Sequence, residues 1–248
     1  MATCKNEAIS EEYADFIVER TAPFDSPFFD LGEICISQMS PFFNCVYAPL
    51  DEVQPISINR YPYSTIPTLF GLEDTTTLET SGILRLQNQP IINLKGQDTI
   101  IGIIDTGIDY RHEAFLNAAG QTRIEAIWDQ TINDGIPPNG FFYGTEYTKE
   151  QINEALAASE PYEIVPSIDE NGHGTFVAGV AAGSESNEAG FIGAVPEATL
   201  LVVKLKPAKQ YLRDYYFVRE EAIAFQENDI IYALEYLNTK ANELLKAI

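Results

Sequence analysis

An aspartate and a histidine, far apart in the chain, are the residues of this sequence best suited to acid–base chemistry. Asp105 directly follows the β-branched apolar run Thr99–Ile104, and His173 stands between two glycines that leave room for a substrate or a partner side chain. A carboxylate that accepts a hydrogen bond from an imidazole fixes the tautomer that a general base needs. We therefore predict that a carboxylate oxygen of Asp105 lies roughly 2.6–3.2 Å from a ring nitrogen of His173.

Neither residue is specific when taken alone. Asp-Thr-Gly at 105–107 could be a turn whose aspartate is satisfied by local amides, and a single histidine is more often packed or solvated than catalytic. Asp-Thr-Gly also marks aspartic peptidases, but those enzymes are β-rich and need two such carboxylates, and the motif occurs once here. A zinc peptidase is disfavoured because His112 and His173 are the only histidines and no His-Glu-x-x-His occurs. We expect His112 to be a surface or packing residue.

The elements that must position the two side chains alternate between strands and helices. The predicted strands are rich in β-branched or apolar residues and comprise Thr99–Ile104, Ile124–Trp128 and Thr199–Leu205. We expect the first of these strands to be buried on both faces. Predicted helices are about 148–158, Phe176–Gly183, and an amphipathic helix whose apolar face is Ile230, Leu234, Leu237, Ala241, Leu244 and Ile248. This order predicts an α/β fold with a parallel sheet and helical crossovers, in which functional groups gather beyond the carboxyl ends of the strands.

The first 75 residues differ from the rest. Phe16–Val18 is a short apolar run, and two strands at about 34–39 and 43–48 flank the turn-like Ser40-Pro41. A connector with prolines and glycines follows at about 61–98. We therefore divide the chain into a small α+β N-terminal region with its connector, 1–75, and an α/β domain, 76–248. The stretch 129–171, rich in glycine, proline and aromatic residues, is typical of a functional loop or an insertion.

The composition restricts the classes of partner. Fifteen Lys and Arg against 37 Asp and Glu give a formal net charge of −22, which disfavours nucleic acid and anionic membrane surfaces. Three cysteines, Cys4, Cys35 and Cys45, without a C-x-x-C spacing predict neither a metal site nor a disulfide framework and favour a reducing compartment, with a single bridge left open. The polar N-terminus and the lack of a long apolar segment predict no signal peptide and no transmembrane helix.

Three segments resemble those of the subtilases, the subtilisin-like serine peptidases. Ile101–Asp109 resembles the aspartate motif of that family, 171–179 (NGHGTFVAG) resembles its histidine motif, and Gly193–Leu200 is similar to the segment that leads into the next strand. The three occur in the order of the family, and the resemblance covers about residues 65–248.

A narrower resemblance lies in the aromatic stretch and in the last helix. Residues 127–132, 140–147 and 227–231 are similar to those of the branch that includes the clostridial germination proteases of the Csp type. The resemblance implies a subtilisin-like parallel sheet, here incomplete, preceded by a propeptide-like region at 1–75. We expect a cytoplasmic or spore-associated location, since the sequence predicts no signal peptide and no transmembrane segment.

The resemblance implies a serine endopeptidase in which His173 is the general base and Asp105 orients it. The nucleophilic serine of the family, in Gly-Thr-Ser, and its oxyanion-hole asparagine are missing here, and none of Ser159, Ser167, Ser184 or Ser186 has the required context. The chain is therefore expected to be inactive alone, with a peptide or protein substrate and the C-terminal part of the catalytic domain as partners.

No cofactor is expected. Asp109 and other loop carboxylates are of the type that binds calcium in some subtilases, but no spacing identifies a metal site. The alternative is a non-catalytic, protease-like interaction protein.

Overall fold

The strand that ends at Asp105 belongs to one of three sheets in the part of the chain that the structure describes. The computed structural model describes residues 4–20, 33–71, 95–186 and 191–246. Its strands are β1 Tyr13–Glu19, β2 Cys35–Gln38, β3 Phe43–Pro49, β4 Leu69–Phe70, β5 Ile100–Asp105, β6 Ile124–Asp129, β7 Thr145–Thr148, β8 Thr199–Lys204 and β9 Phe225–Gln226. Its α-helices are α1 Lys5–Ile9, α2 Leu50–Val53, α3 Lys149–Ala157, α4 His173–Ala182, α5 Gln210–Tyr215 and α6 Glu227–Lys246. Residues 72–94, most of the predicted connector, and Ile248 lie outside the described residues.

The sheet that carries Asp105 has the strand order β5-β8-β6-β7. The first three strands are parallel, as predicted, and β7 adds an antiparallel strand to β6. β8 is the central strand, and its four apolar residues 200–203 are buried because the sheet is covered on both faces there. The prediction that the first strand is buried on both faces was wrong: β5 is an edge strand of the described sheet, and Gly102 is exposed. The mixed α/β architecture with parallel strands agrees with the predicted fold class.

Two different connections return the chain to this sheet. Residues 106–123 join β5 to β6 through the 3₁₀ turn Glu113–Phe115, without an α-helix. The path from β6 to β8 carries β7, α3 and α4. Thr148 caps α3 in a capping box with Gln151, which explains why this helix begins where the sequence predicts. α4 begins three residues earlier than predicted, at His173 itself.

The chain folds into two compact units. One comprises Glu73–Ile136, Gly144–Leu205 and Ala241–Ile248. Its core lies between the sheet that carries Asp105, β5-β8-β6-β7, and the helices α3 and α4. The other comprises Met1–Leu72, Pro137–Tyr143 and Lys206–Lys240. In the second unit the strands have the order β1-β3-β2, all antiparallel, so the two predicted strands and their turn are confirmed. Its apolar core comprises Ala14, Phe16, Val46, Ala48, Val53, Tyr61, Ile66, Tyr211 and Leu212.

A disulfide joins Cys4 to Cys35, with 5.7 Å between their Cα atoms, whereas Cys45 is free and buried. The single bridge that the sequence left open is therefore present, and it weighs against the expected reducing compartment. Among the described residues, no helix combines the length and the apolar character needed to cross a bilayer.

The buried face of α6 is not the predicted one. Leu234, expected to face the core, is 57% exposed, whereas Asp229, Tyr232 and Tyr236 are buried. These polar side chains can be buried because they have partners: Lys206 Nζ lies 2.6 Å from Asp229 Oδ2. Burial raises the pKa of Asp229 above its usual value, although the Lys206 ammonium acts against that shift.

A second buried ion pair anchors the N-terminal strand. Lys209 Nζ lies 2.5 Å from Asp15 Oδ1 and donates to carbonyl oxygens of α1 and Tyr13 at 2.9 and 3.2 Å. The other carboxylate oxygen of Asp15 accepts hydrogen bonds from the side-chain amides of Gln226 and Asn228, at 2.7 and 3.0 Å. Asp15 is fully buried and Lys209 is 2% exposed, so each charge depends on the other and on this set of hydrogen bonds.

We expect Lys209→Met to destabilise the unit that contains Asp15 and Lys209 by about 3–5 kcal/mol, because the substitution leaves the Asp15 carboxylate buried without a counter-ion. Urea unfolding followed by tyrosine fluorescence and circular dichroism measures the change. Lys149→Met is the matched control, since it removes the cation of a much more exposed pair, Lys149–Glu125, and should change stability by less than about 1 kcal/mol. Equal shifts for the two variants would show that the buried pair is not desolvated.

Candidate active site

The Asp105 carboxylate is held at the carboxyl end of β5. Asp105 is 9% exposed, and its Oδ1 accepts a hydrogen bond from the backbone amide of Thr106 at 2.7 Å. Its carbonyl oxygen continues the ladder to β8 by accepting from Leu205 N at 2.9 Å. The carboxylate is therefore fixed at the edge of the sheet where functional groups collect in α/β folds.

The imidazole of His173 meets this carboxylate directly. His173 Nδ1 lies 2.8 Å from Asp105 Oδ1 and 3.0 Å from Oδ2, so the predicted proximity is confirmed. Because both oxygens are acceptors, we assign the proton to Nδ1. This assignment makes Nε2 the basic nitrogen of the ring. The two side chains are 20% and 11% exposed, so the pair is partly shielded from solvent.

The glycines that flank His173 serve two different purposes. Gly172 precedes α4 with φ +83°, a left-handed conformation, and a Cβ atom added to it would meet nothing within 4 Å. A Cβ atom on Gly174 would overlap the carbonyl oxygen of Gly107 and lie 3.1 Å from Asp105 Cβ. Gly172 is thus required by backbone conformation, and Gly174 by the contact between the start of α4 and the end of β5.

Three polar residues next to the pair are not identified by the sequence analysis. Thr106 Oγ1 accepts from the amide of Gly174 at 3.0 Å, and Asp169 lies within hydrogen-bond distance of Thr106. Lys204 Nζ donates to the carbonyl oxygen of Ile168 at 2.7 Å. Strand register places Lys204 between Asp105 and Asp129, but no periodicity in the sequence reveals that row.

Ser167 and Ser184, in the unit that carries Asp105 and His173, hydrogen-bond to groups other than His173. Ser167, which is 1% exposed, donates its hydroxyl proton to Asp129 Oδ2 at 2.7 Å. Ser184 donates to the carbonyl oxygen of Leu116 at 2.8 Å. These contacts agree with the sequence analysis, which assigned neither residue as a nucleophile.

The remaining candidates have structural partners. His112 is exposed, and its Nδ1 accepts from the amide of Ala114, so the expected surface role is confirmed. Asp109 Oδ1 lies 3.2 Å from Arg111 Nε in an ion pair. Across residues 4–20, 33–71, 95–186 and 191–246, no group of three or more His, Cys, Asp or Glu side chains is arranged to hold a metal ion. Calcium binding stays a prediction without a site.

Comparison with known proteins decides the family. The sequence pattern of the subtilase family, peptidase S8, matches residues 96–230, more than half of the chain, and that range contains both Asp105 and His173. This chain belongs to the subtilase family. The structure of the Clostridium perfringens CspB protease matches this subtilase with a TM-score of 0.52 and 33% identity, over 65% of this chain and 29% of that one. The resemblance to the Csp-type branch is thereby confirmed.

Other relatives match a shorter part of the chain. C5a peptidase of Streptococcus pyogenes is 28% identical over 130 residues, which are 49% of this chain and 10% of that protein. Thermitase of Thermoactinomyces vulgaris is 29% identical over 111 residues, or 45% of this chain and 27% of thermitase. This subtilase therefore spans a tenth to about a quarter of the length of these two relatives.

We expect Gly174→Ala to destabilise the unit that carries the pair by about 1–3 kcal/mol, because the added methyl group forces α4 away from β5. Gly179→Ala is the matched control in the same helix: its Cβ atom meets nothing within 4 Å, so the substitution should stabilise the helix by about 0.5–1 kcal/mol. Chemical unfolding followed by Trp128 fluorescence measures both changes. The proposed close contact would be refuted if the two alanines had the same effect.

Proposed function

We propose that this chain supplies the aspartate and histidine of a subtilisin-type serine endopeptidase, which hydrolyses peptide bonds through an acyl-enzyme. The observation that carries the proposal is the 2.8 Å contact between His173 Nδ1 and Asp105 Oδ1 at the carboxyl end of β5. Membership of the subtilase family supports it, because both residues lie in the matched range.

Each residue has a defined part in the reaction. His173 Nε2 accepts the proton of the attacking serine hydroxyl and later gives it to the leaving amine. Asp105 keeps the proton on Nδ1 and stabilises the imidazolium that forms when Nε2 is protonated. The low exposure of the two side chains strengthens this interaction, since little water screens it.

The nucleophile and the oxyanion donors come, in this proposal, from a further polypeptide segment. The 248 residues contain no Gly-Thr-Ser, and an aspartate–histidine pair without an attacking hydroxyl does little to a peptide bond. These residues alone should therefore be inactive. The substrate is a peptide or protein. Membership of the subtilase family supports this substrate class.

We also propose that residues 1–75 form a propeptide-like region and 76–248 the first part of the catalytic domain. The antiparallel sheet of β1, β2 and β3 supports an N-terminal element with a sheet of its own, which packs with Lys206–Lys240 in one compact unit. If the region is processed, the cut bond lies between Tyr63 and Ser81, of which residues 72–81 are outside the described part of the chain.

The test compares residues 1–248 alone with a fusion to a C-terminal segment of another subtilase, chosen because that segment contains Gly-Thr-Ser. We expect the chain alone to leave peptides uncut and to resist a fluorophosphonate probe, and the fusion to react with the probe at its serine. In the fusion, His173→Ala should lower peptide hydrolysis by at least about four orders of magnitude.

His112→Ala is the control, since it removes the other histidine and should leave hydrolysis unchanged. Probe labelling of the chain alone, or a fusion that keeps its activity in His173→Ala, would contradict the proposal. A folded fusion that neither cuts peptide nor reacts with the probe would favour the alternative of a non-catalytic interaction protein.

A further inference from the structure

The carboxylate of Asp169 is the acceptor for four hydrogen bonds. Its Oδ1 accepts from Thr106 Oγ1 at 2.7 Å and from the amide of Gly172 at 3.0 Å. Its Oδ2 accepts from the amide and the hydroxyl of Thr175, at 2.8 and 2.6 Å. Thr106 directly follows Asp105, whereas Gly172 and Thr175 are in the segment around His173. One side chain therefore joins the two segments that carry the pair.

The two threonines extend this connection in both directions. Thr106 Oγ1, which donates to Asp169, accepts from the amide of Gly174 at 3.0 Å. Thr175 Oγ1, which also donates to Asp169, accepts from the amide of Asp109 at 2.8 Å. The amides on both sides of His173 are thus held, one by Asp169 directly and one through Thr106. This arrangement leaves the imidazole only its own side-chain torsions.

Asp169 also replaces the missing cap of α4. The residue in the N-cap position, Gly172, has no side chain to accept the free amides of the first turn. Asp169, three residues earlier, accepts the amide of Thr175 in its place, and its negative charge lies at the positive end of the helix dipole. Partial burial acts to raise the pKa of Asp169, but the hydrogen bonds from Thr175, Thr106 and Gly172 outweigh it and hold that pKa below its usual value.

The loop in front of Asp169 is attached to the sheet at two further points. Ser167 donates to Asp129 Oδ2 at the end of β6, and Lys204 Nζ, at the end of β8, donates to the carbonyl oxygen of Ile168. Asp169 itself reaches the end of β5 through Thr106. Three consecutive residues thus connect this loop to three neighbouring strands, so the loop has a fixed position from which Asp169 can act.

We propose that Asp169 is a positioning residue, which sets the backbone of His173 at the distance where its ring donates to Asp105; this inference rests on the proposed function. A hydrogen bond of 2.8 Å tolerates little displacement, since the interaction weakens steeply as its geometry departs from the ideal. A carboxylate suits the position because all four groups of Thr106, Gly172 and Thr175 that contact it are donors. An amide in its place would present two further hydrogens to them.

The test is nuclear magnetic resonance of the 248-residue chain labelled with ¹⁵N in its two histidines. In the wild type we expect the ring of His173 to carry its proton on Nδ1, with a downfield proton signal from the hydrogen bond to Asp105. In Asp169→Asn we expect loss of that signal and a shift toward the mixture of tautomers that a free histidine shows. The signals of His112 serve as an internal reference for folding.

Two further comparisons separate positioning from general stability. Glu170→Gln removes the same charge from an exposed neighbour and should keep the downfield signal. If Asp169→Asn does not fold, Thr106→Val removes the two hydrogen bonds of the Thr106 hydroxyl, one to Asp169 and one from Gly174, and should lose the signal. Thr106→Ser keeps the hydroxyl and should restore it.

The outcomes separate the two proposals. A downfield signal in the wild type that persists in a folded Asp169→Asn or Thr106→Val variant, with only a lower unfolding midpoint, would overturn the positioning role and leave the proposed function intact. A wild-type chain in which His173 carries its proton on Nε2 would overturn the aspartate–histidine pair, and both proposals with it.

Discussion

The geometry of the candidate site depends on how closely the first turn of α4 approaches the end of β5. Gly174 touches the backbone at Gly107, and no residue with a side chain fits there without moving one of the two segments. Protein interiors are packed too densely to absorb such an overlap without a shift. The separation of Asp105 and His173 is therefore a consequence of backbone contact first and of side-chain chemistry second.

Polar groups around Asp105 and His173 add hydrogen bonds to the backbone contact between α4 and β5. At the carboxyl edge of the sheet, Asp105, Lys204 and Asp129 lie side by side on three strands, so a cation stands between two carboxylates. Parallel strands bring such residues together because all their carboxyl ends point the same way. Asp169 links the end of β5 to α4 through its hydrogen bonds with Thr106 and Thr175. The fold thus provides the platform, and a small set of hydrogen bonds sets the final orientation of the imidazole.

The sequence predicts the parts of this structure that short-range patterns control. Residues 200–203 form an unbroken apolar run, which is how a central strand must read, and Thr148 with Gln151 marks the start of a helix. Asp105 and His173 were found because glycines and an apolar strand surround them and because their motifs resemble those of a family.

The sequence does not predict the features that depend on contacts between residues distant in the chain. The antiparallel β7, the bridge between Cys4 and Cys35 and the buried face of α6 depend on partners that no local spacing reveals. Leu234 fits an apolar helical stripe, yet the neighbouring face is buried because Asp229 finds Lys206. Asp169 was missed for the same reason: an aspartate four positions before a histidine is unremarkable until the fold brings Thr106 to it.

The ion pair of Asp15 and Lys209 constrains how this chain can evolve. The two residues are 194 positions apart in sequence, yet each is the counter-ion of the other in a buried site. A lineage that loses one charge retains the other unpaired, whereas exchange of both for apolar residues of similar volume can be neutral. We expect homologues to keep both or to have replaced both, so that a strand near the N-terminus and a helix near residue 210 change together.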